Sequence, residues 1–189
     1  EKYFKDSVST LNKGFLIHVG IDGFKMISEN YGWDYGDYIL RETASCILSC
    51  ISDSQKVYKI ASDEFIILDT TSSDMTTASN LYDHICKHIN QFIEENNFAA
   101  VFTISAGILP LPDLTDGYTE LIKRTDFSLT MAKQHGRNCC YIFQEEEYQN
   151  FLRIREITNE LHSAVNHGFR GFSIIFQPVM DIRQDKLTG

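Results

Sequence analysis

Two adjacent carboxylates, Asp63 and Glu64, stand between the β-rich runs 57–60 and 65–68, which places them at the tip of a β-hairpin. Carboxylate oxygens are the hard donors that Mg²⁺ takes in near-octahedral geometry. Taken alone, an acidic pair on a turn is more simply a solvated turn. Lys133 and Arg137 lie four residues apart beside a predicted helix end, where cations interact favourably with the helix C-terminus. Asp37 near the start of a helical stretch suits an N-cap. Five cysteines are present, and Cys46 and Cys50 are one helical turn apart, spaced as small buried hydrophobes. No C-x-x-C pair occurs, and no histidine cluster joins the cysteines at zinc spacing.

The elements that position these residues follow from hydrophobic rhythm. The run 15–19 reads as a buried strand leading into Gly20-Ile21-Asp22-Gly23. Residues 24–30 and 35–51 repeat apolar positions at helical spacing, and the hairpin follows. A Thr/Ser-rich loop at 70–77 precedes a long helix over 78–95. A strand over 99–109 ends at Pro110-Leu111-Pro112. A helix over 118–135 stops at Gly136, a typical left-handed cap position, and a strand follows at 139–143. This order predicts an α/β (α+β) fold, a mostly antiparallel sheet of ferredoxin-like character flanked by helices. Periodic positions such as Ile39, Leu48, Ile104 and Leu129 are the expected core. A charged helix over 145–167 is a connector, and 172–176 and 186–187 read as further strands.

The 189 residues suffice for one full domain and a fragment of a second. A net charge of −9 argues against a nucleic-acid or anionic-membrane surface, though not against a nucleotide neutralised locally. An odd cysteine count without a framework fits a reducing cytoplasm. No signal peptide opens the chain and no apolar run is long enough to span a bilayer, although a membrane-attached parent protein remains open.

Four separated segments, in order, resemble the GGDEF domain of diguanylate cyclases. Ile21-Asp22-Gly23-Phe24-Lys25 with Asn30-Tyr31-Gly32 and Gly36-Asp37 is similar to the family's D-x-D-x-F-K…N-D-x-x-G-H-x-x-G-D stretch. Ala61-Ser62-Asp63-Glu64-Phe65 occupies the place of G-G-D-E-F. Thr103-Ile104-Ser105-Ala106-Gly107-Ile108 resembles T-V-S-I-G-V. Asp126 with the segment Ala132-Lys133-Gln134-His135-Gly136-Arg137-Asn138 resembles A-D-x-A-L-Y-x-A-K-x-x-G-R-N. The tail from Leu161-His162-Ser163-Ala164-Val165 through Phe172, Gln177-Pro178-Val179, Asp181 and Gly189 resembles the opening of an EAL phosphodiesterase domain, and stops before its catalytic carboxylates. The implied organisation is a GGDEF domain over 1–143, a connecting helix over 144–168, and the start of an EAL domain over 169–189.

The resemblance implies a bacterial cyclic di-GMP signalling module with GTP and Mg²⁺ as ligands, its own EAL domain as partner, and homodimers. It assigns metal binding to the Ile21 carbonyl, Asp63 and Glu64, guanine to Ser28 and Asp37, and phosphates to Lys25, Lys133 and Arg137. Ala61 and Ser62 would border the nucleotide. Several positions depart from the pattern. Gly20 stands where the family has its first metal-binding Asp, and Asp22 is not expected to replace it, its side chain being read as turned to the opposite strand face. Ala61 and Ser62 replace two glycines, and Ser28 replaces an Asn. The R-x-x-D product-inhibition motif is absent from Ser52-Asp53-Ser54-Gln55. These departures lead to the expectation of a degenerate, regulatory, GTP-binding domain that makes no cyclic di-GMP. An active cyclase with an altered metal site and a ligand-free structural or dimerising module are the alternatives.

Overall fold

The apolar run at 15–19 extends into β1 (Phe15–Ile21), and all of its residues are buried. A strand hidden on both faces must be central, and in the computed structural model it is. β1 runs antiparallel to β3 (Glu64–Asp69) on one side and to β4 (Ile104–Pro110) on the other. β2 (Gln55–Lys59) continues the hairpin on β3, and β5 (Cys140–Ile142) pairs parallel with β4. The order β2-β3-β1-β4-β5 is the mostly antiparallel sheet that the sequence implies. Residues 13–96, 101–111, 117–169, 171–175, 177–181, 183 and 186–187 are described. They fall into two compact units that divide between Glu145 and Glu146.

Strand alternation assigns each side chain to a face. Phe15, Ile17, Val19 and Ile21, with Phe65 and Ile67 of β3, pack against α1 (Phe24–Tyr31), α2 (Trp33–Cys50) and α3 (Met75–Glu95). Leu16, Ile66 and Leu68 face the other way and join Leu121 of α4 (Gly117–Gln134). α4 lies very close to β4. A Cβ on Gly107 would fall 2.3 Å from the Leu129 backbone nitrogen, so only glycine permits this approach. Asp74 caps α3 by accepting a 2.9 Å hydrogen bond from the Thr76 backbone N–H.

Several expectations shift. α2 begins at Trp33 rather than Tyr35, and Gly32 with φ 90° is its N-cap. Asp37 therefore lies in the second turn and caps nothing. Leu48 is 59% exposed, because the buried stripe of α2 runs through Gly36, Ile39, Thr43 and Ile47. Leu48 lies about 100° round the helix from Ile47. Ile39, Ile104 and Leu129 are buried as expected. Ala99 and Ala100, the predicted start of β4, lie outside the described residues; within them the strand begins at Ile104.

The helix expected over 145–167 is α5 (Glu145–Asn166), which belongs to the second unit from Glu146 on. Residues 172–175 form no strand, and Ile174 and Ile175 are almost fully exposed. An apolar run reads as a strand only where a neighbour supplies the ladder. Phe176 and Gly189 lie outside the described residues. β6 (Met180–Asp181) pairs with β7 (Lys186–Leu187), as predicted for 186–187.

Candidate functional site

Even-numbered positions of β1 and β3 face α4, so His18, Gly20 and Glu64 share one surface. Gly20 and Glu64 are directly opposed in the antiparallel register. α4 brings Asp126, Leu129, Thr130 and Lys133 over them, enclosing a hollow of about 250 Å³ with His18 and Glu64. The hollow is strongly polar for a surface so near the core. His18 is 1% exposed, and its Nε2–H donates to Glu64 Oε2 at 3.1 Å. Its Nδ1 lies 3.4 Å from Asp126 Oδ1 and has no well-aligned hydrogen-bond partner among the described residues. Lys133 Nζ lies 3.6 Å from Glu64 Oε1.

The two carboxyl groups respond in opposite directions. The hydrogen bond from His18, helped by the charge of Lys133, holds Glu64 below its ordinary value despite burial. Burial raises Asp126 above its ordinary value, with the Glu64 charge adding and His18 opposing. Glu64 is thus an ionised acceptor already engaged by two cationic or donor groups.

Gly20 bears directly on this arrangement. A Cβ at this position would stand 3.0 Å from Lys133 Nζ and 3.2 Å from Leu129 Cδ2. The lysine ammonium lies against the space that a side chain at position 20 would enter. Asp22 lies just past β1, in a turn, and its carboxylate reaches the hydroxyl of Ser105, the residue opposite Gly20 in β4. It therefore turns toward the face of Gly20, and the expected opposite orientation is incorrect. What removes Asp22 from the hollow is its hydrogen bonding. It accepts from Thr103 Oγ1 and Ser105 Oγ, each at 2.7 Å, and from the Asn138 backbone N–H at 3.2 Å. Asp22 thereby ties the end of β1 to β4 and to the turn after α4.

The hairpin tip tolerates its substitutions. Neither Ala61 nor Ser62 has a positive φ, so losing two glycines imposes no backbone strain. Ser62 Oγ donates to Asp63 Oδ1 at 2.7 Å, which occupies one lone pair of that acid. The Asp63 carbonyl accepts from the Ile21 backbone N–H at 3.2 Å, holding the tip beside the end of β1.

The remaining predicted residues are dispersed. Asp37 lines a separate hollow of about 470 Å³ with Asp34, Leu40, Arg41 and Lys59. Ser28 is 4% exposed, and its hydroxyl donates back to the Phe24 carbonyl at 3.2 Å. A Cβ on Gly36 would meet that hydroxyl at 2.6 Å, so Ser28 fills the α1–α2 contact. Lys25 extends into solvent and pairs only loosely with Glu29 at 3.8 Å. Arg137 lies beyond the end of α4 with φ 63°, so helical i,i+4 spacing does not align it with Lys133. His18, by contrast, gave one sequence signal: a lone titratable residue inside an apolar strand, with the parity of Gly20.

Comparison with known proteins gives the arrangement its context. The family described as "Diguanylate cyclase, GGDEF domain" matches residues 2–139. A diguanylate cyclase of Vibrio cholerae serotype O1 is 30% identical over 131 residues, 68% of this chain and 40% of that protein. The cyclic di-GMP phosphodiesterase PdeR of Escherichia coli is 24% identical over 156 residues, 82% of this chain and 23% of its own length. The chain thus spans well under half of either relative. The solved active GGEEF domain of a Vibrio cholerae diguanylate cyclase superposes with a TM-score of 0.61 at 30% identity, covering 71% of this chain and 85% of that one. The match covers most of the first unit, including β1, the hairpin and α4, and the chain belongs to the diguanylate cyclase GGDEF domain family.

Proposed function

We propose that this chain is a degenerate GGDEF domain that has lost cyclase chemistry and regulates an attached EAL phosphodiesterase domain, with GTP as its ligand. The carrying observation is the hollow beneath α4. Gly20 supplies no carboxylate opposite Glu64, and the Lys133 ammonium lies in the gap, 3.6 Å from Glu64. A pair of Mg²⁺ ions needs several free carboxylate oxygens. Here Glu64 is bonded to His18, Asp63 accepts from Ser62, and a lysine lies where cation charge would be. These residues do not fit that metal pair. A fixed ammonium neutralises Glu64 but cannot polarise or deprotonate an attacking hydroxyl as a metal does.

GTP binding rests on Asp37 in its open hollow, since a carboxylate accepts from the guanine N1–H and N2 amino groups. Ser28 contributes nothing to the base, being committed to Phe24. Lys133 is shared between Glu64 and any phosphate. The expected affinity is consequently weak. The EAL partner rests on the tail resemblance and on a phosphodiesterase relative that aligns over 82% of the chain. On this reading the GGDEF domain ends near 143, α5 is the connector, and residues from 169 begin the next domain. No helix among the described residues is long and apolar enough to cross a membrane. The supply of GTP assigns the module to the cytoplasm.

Two assays test the proposal. Incubation with GTP and Mg²⁺ or Mn²⁺ should yield no cyclic di-GMP; product that disappears on Asp63→Ala would establish an active cyclase instead. Calorimetric titration should give heat with GTP, less with ATP, and no preference after Asp37→Ala. Equal affinities, or no heat with either nucleotide, would leave a structural module.

A further inference from the structure

The face of the sheet opposite Lys133 carries a second cluster of chemistry-bearing residues. Cys50 ends α2, and His84 and His88 stand one turn apart on α3. One ligand atom from each of the three lies within 4.8 Å of the others. Cys50 and His88 are half-buried and His84 is exposed, so the cluster has a protein wall and one solvent side. The two imidazoles already lie edge to face, with centroids 4.6 Å apart. Ser49 Oγ lies 3.4 Å from His88 Nδ1, a contact that orients the ring.

We propose that Cys50, His84 and His88 form a transition-metal site, best suited to Zn²⁺, that clamps α2 to α3. The donor set is the ground for the choice of ion. One thiolate and two imidazoles suit the borderline-soft ions and not Mg²⁺ or Ca²⁺. In tetrahedral coordination, Zn–S and Zn–N bonds of about 2.3 and 2.1 Å place ligand atoms roughly 3.5 Å apart. Ligand atoms no more than 4.8 Å apart need to close by about 1.3 Å at most, to which rotation of the exposed His84 contributes. The fourth position faces solvent and takes water. Binding releases the Cys50 thiol proton, and the metal then withdraws that sulfur from disulfide exchange.

The site stands apart from the nucleotide reading. Cys50 follows Asp37 by thirteen residues of one helix, about 20 Å at the α-helical rise. A metal there acts on how α2 packs against α3, and so on the helix that carries Asp37. It is a structural or sensing site, remote from the groups proposed to touch GTP.

Co²⁺ titration of the tag-free chain provides the test. The expected result is one Co²⁺ per chain, with visible tetrahedral bands and a thiolate-to-metal charge-transfer band, all displaced by Zn²⁺. Cys50→Ser should remove the charge-transfer band. His84→Ala, at an exposed helical position that tolerates alanine, should leave the fold intact and weaken Co²⁺ binding by about two orders of magnitude. Cys139→Ser and Cys140→Ser should change nothing. Absence of the thiolate band in the parent chain would overturn the site. So would a band that survives Cys50→Ser, or affinity unchanged by His84→Ala.

Discussion

Restoring a carboxylate opposite Glu64 is the most direct challenge to the proposed loss of metal binding. Gly20 sits in extended backbone, so Gly20→Asp needs no unusual φ. Its Cβ would stand 3.0 Å from the mobile end of Lys133 and 3.2 Å from Leu129 Cδ2, both of which can yield by tenths of an ångström. In the parent chain a cation arriving at Glu64 must displace Lys133, 3.6 Å away. The raw attraction at that distance is about 4–5 kcal/mol for an effective dielectric near 20. Desolvation and entropy offset most of it, leaving about 1 kcal/mol net for so partly exposed a pair. The absent carboxylate costs about 1–3 kcal/mol more, by analogy with the loss of a charged hydrogen bond. Gly20→Asp supplies that oxygen and gives Lys133 a competing partner. Mn²⁺ affinity should therefore rise about 10- to 100-fold, read by calorimetry and by a metal-dependent increase in melting temperature. A variant that is folded by circular dichroism yet binds Mn²⁺ no better than its parent would refute the reasoning. Parent binding already as tight as in the variant would do the same.

Other outcomes follow from the same geometry. Glu64→Gln should destabilise by about 1 kcal/mol at pH 7, because a depressed carboxylate stabilises the fold only while ionised. That difference should be complete above the unfolded value of 4.5 and fade as pH falls through the lower folded value, as urea melts at several pH values would register. A penalty equal at pH 7 and at the acid end would argue that the His18–Glu64 contact carries no charge. Asp22→Ala strips acceptors from Thr103, the fully buried Ser105 and the Asn138 backbone, and should cost about 3 kcal/mol in chemical denaturation. Gly107→Ala should cost about 3 kcal/mol, since its Cβ would meet the α4 backbone, whereas Gly20→Ala should be mild because it meets only flexible side chains. Similar losses for the two glycines, by thermal melting, would contradict that contrast.

Fold class was legible because hydrophobic period and motif order carry it. The fully apolar β1, the hairpin and the long amphipathic α3 each have strong local signals. The GGDEF pattern was likewise readable, including the glycine in place of aspartate at position 20. Boundaries were less secure. α2 starts two residues early because Gly32 at φ 90° caps it, a backbone role that composition alone did not reveal. Leu48 fits the helical rhythm as well as Ile47 does, and only the direction of the neighbouring sheet decides between them. The run 172–175 is apolar enough for a strand but lacks the ladder that would make it one.

The sequence by itself determined which residue types were available: two hairpin acids, no carboxylate at position 20, and a serine for the asparagine at 28. Tertiary structure decided what they do. Strand register set Gly20 against Glu64, and α4 then lowered Lys133 beside that pair. The same packing turned His18, an unremarked residue of an apolar run, into the partner of Glu64. Asp22 was diverted by hydroxyls some eighty residues away in the chain, and Ser28 by the carbonyl one turn before it. His84 and His88 have the i,i+4 spacing of a helical ligand pair, but Cys50 joins them only through the docking of two helices that the whole hairpin separates in sequence. Side-chain partners across such distances are set by register and helix docking, which a linear pattern does not encode one residue at a time.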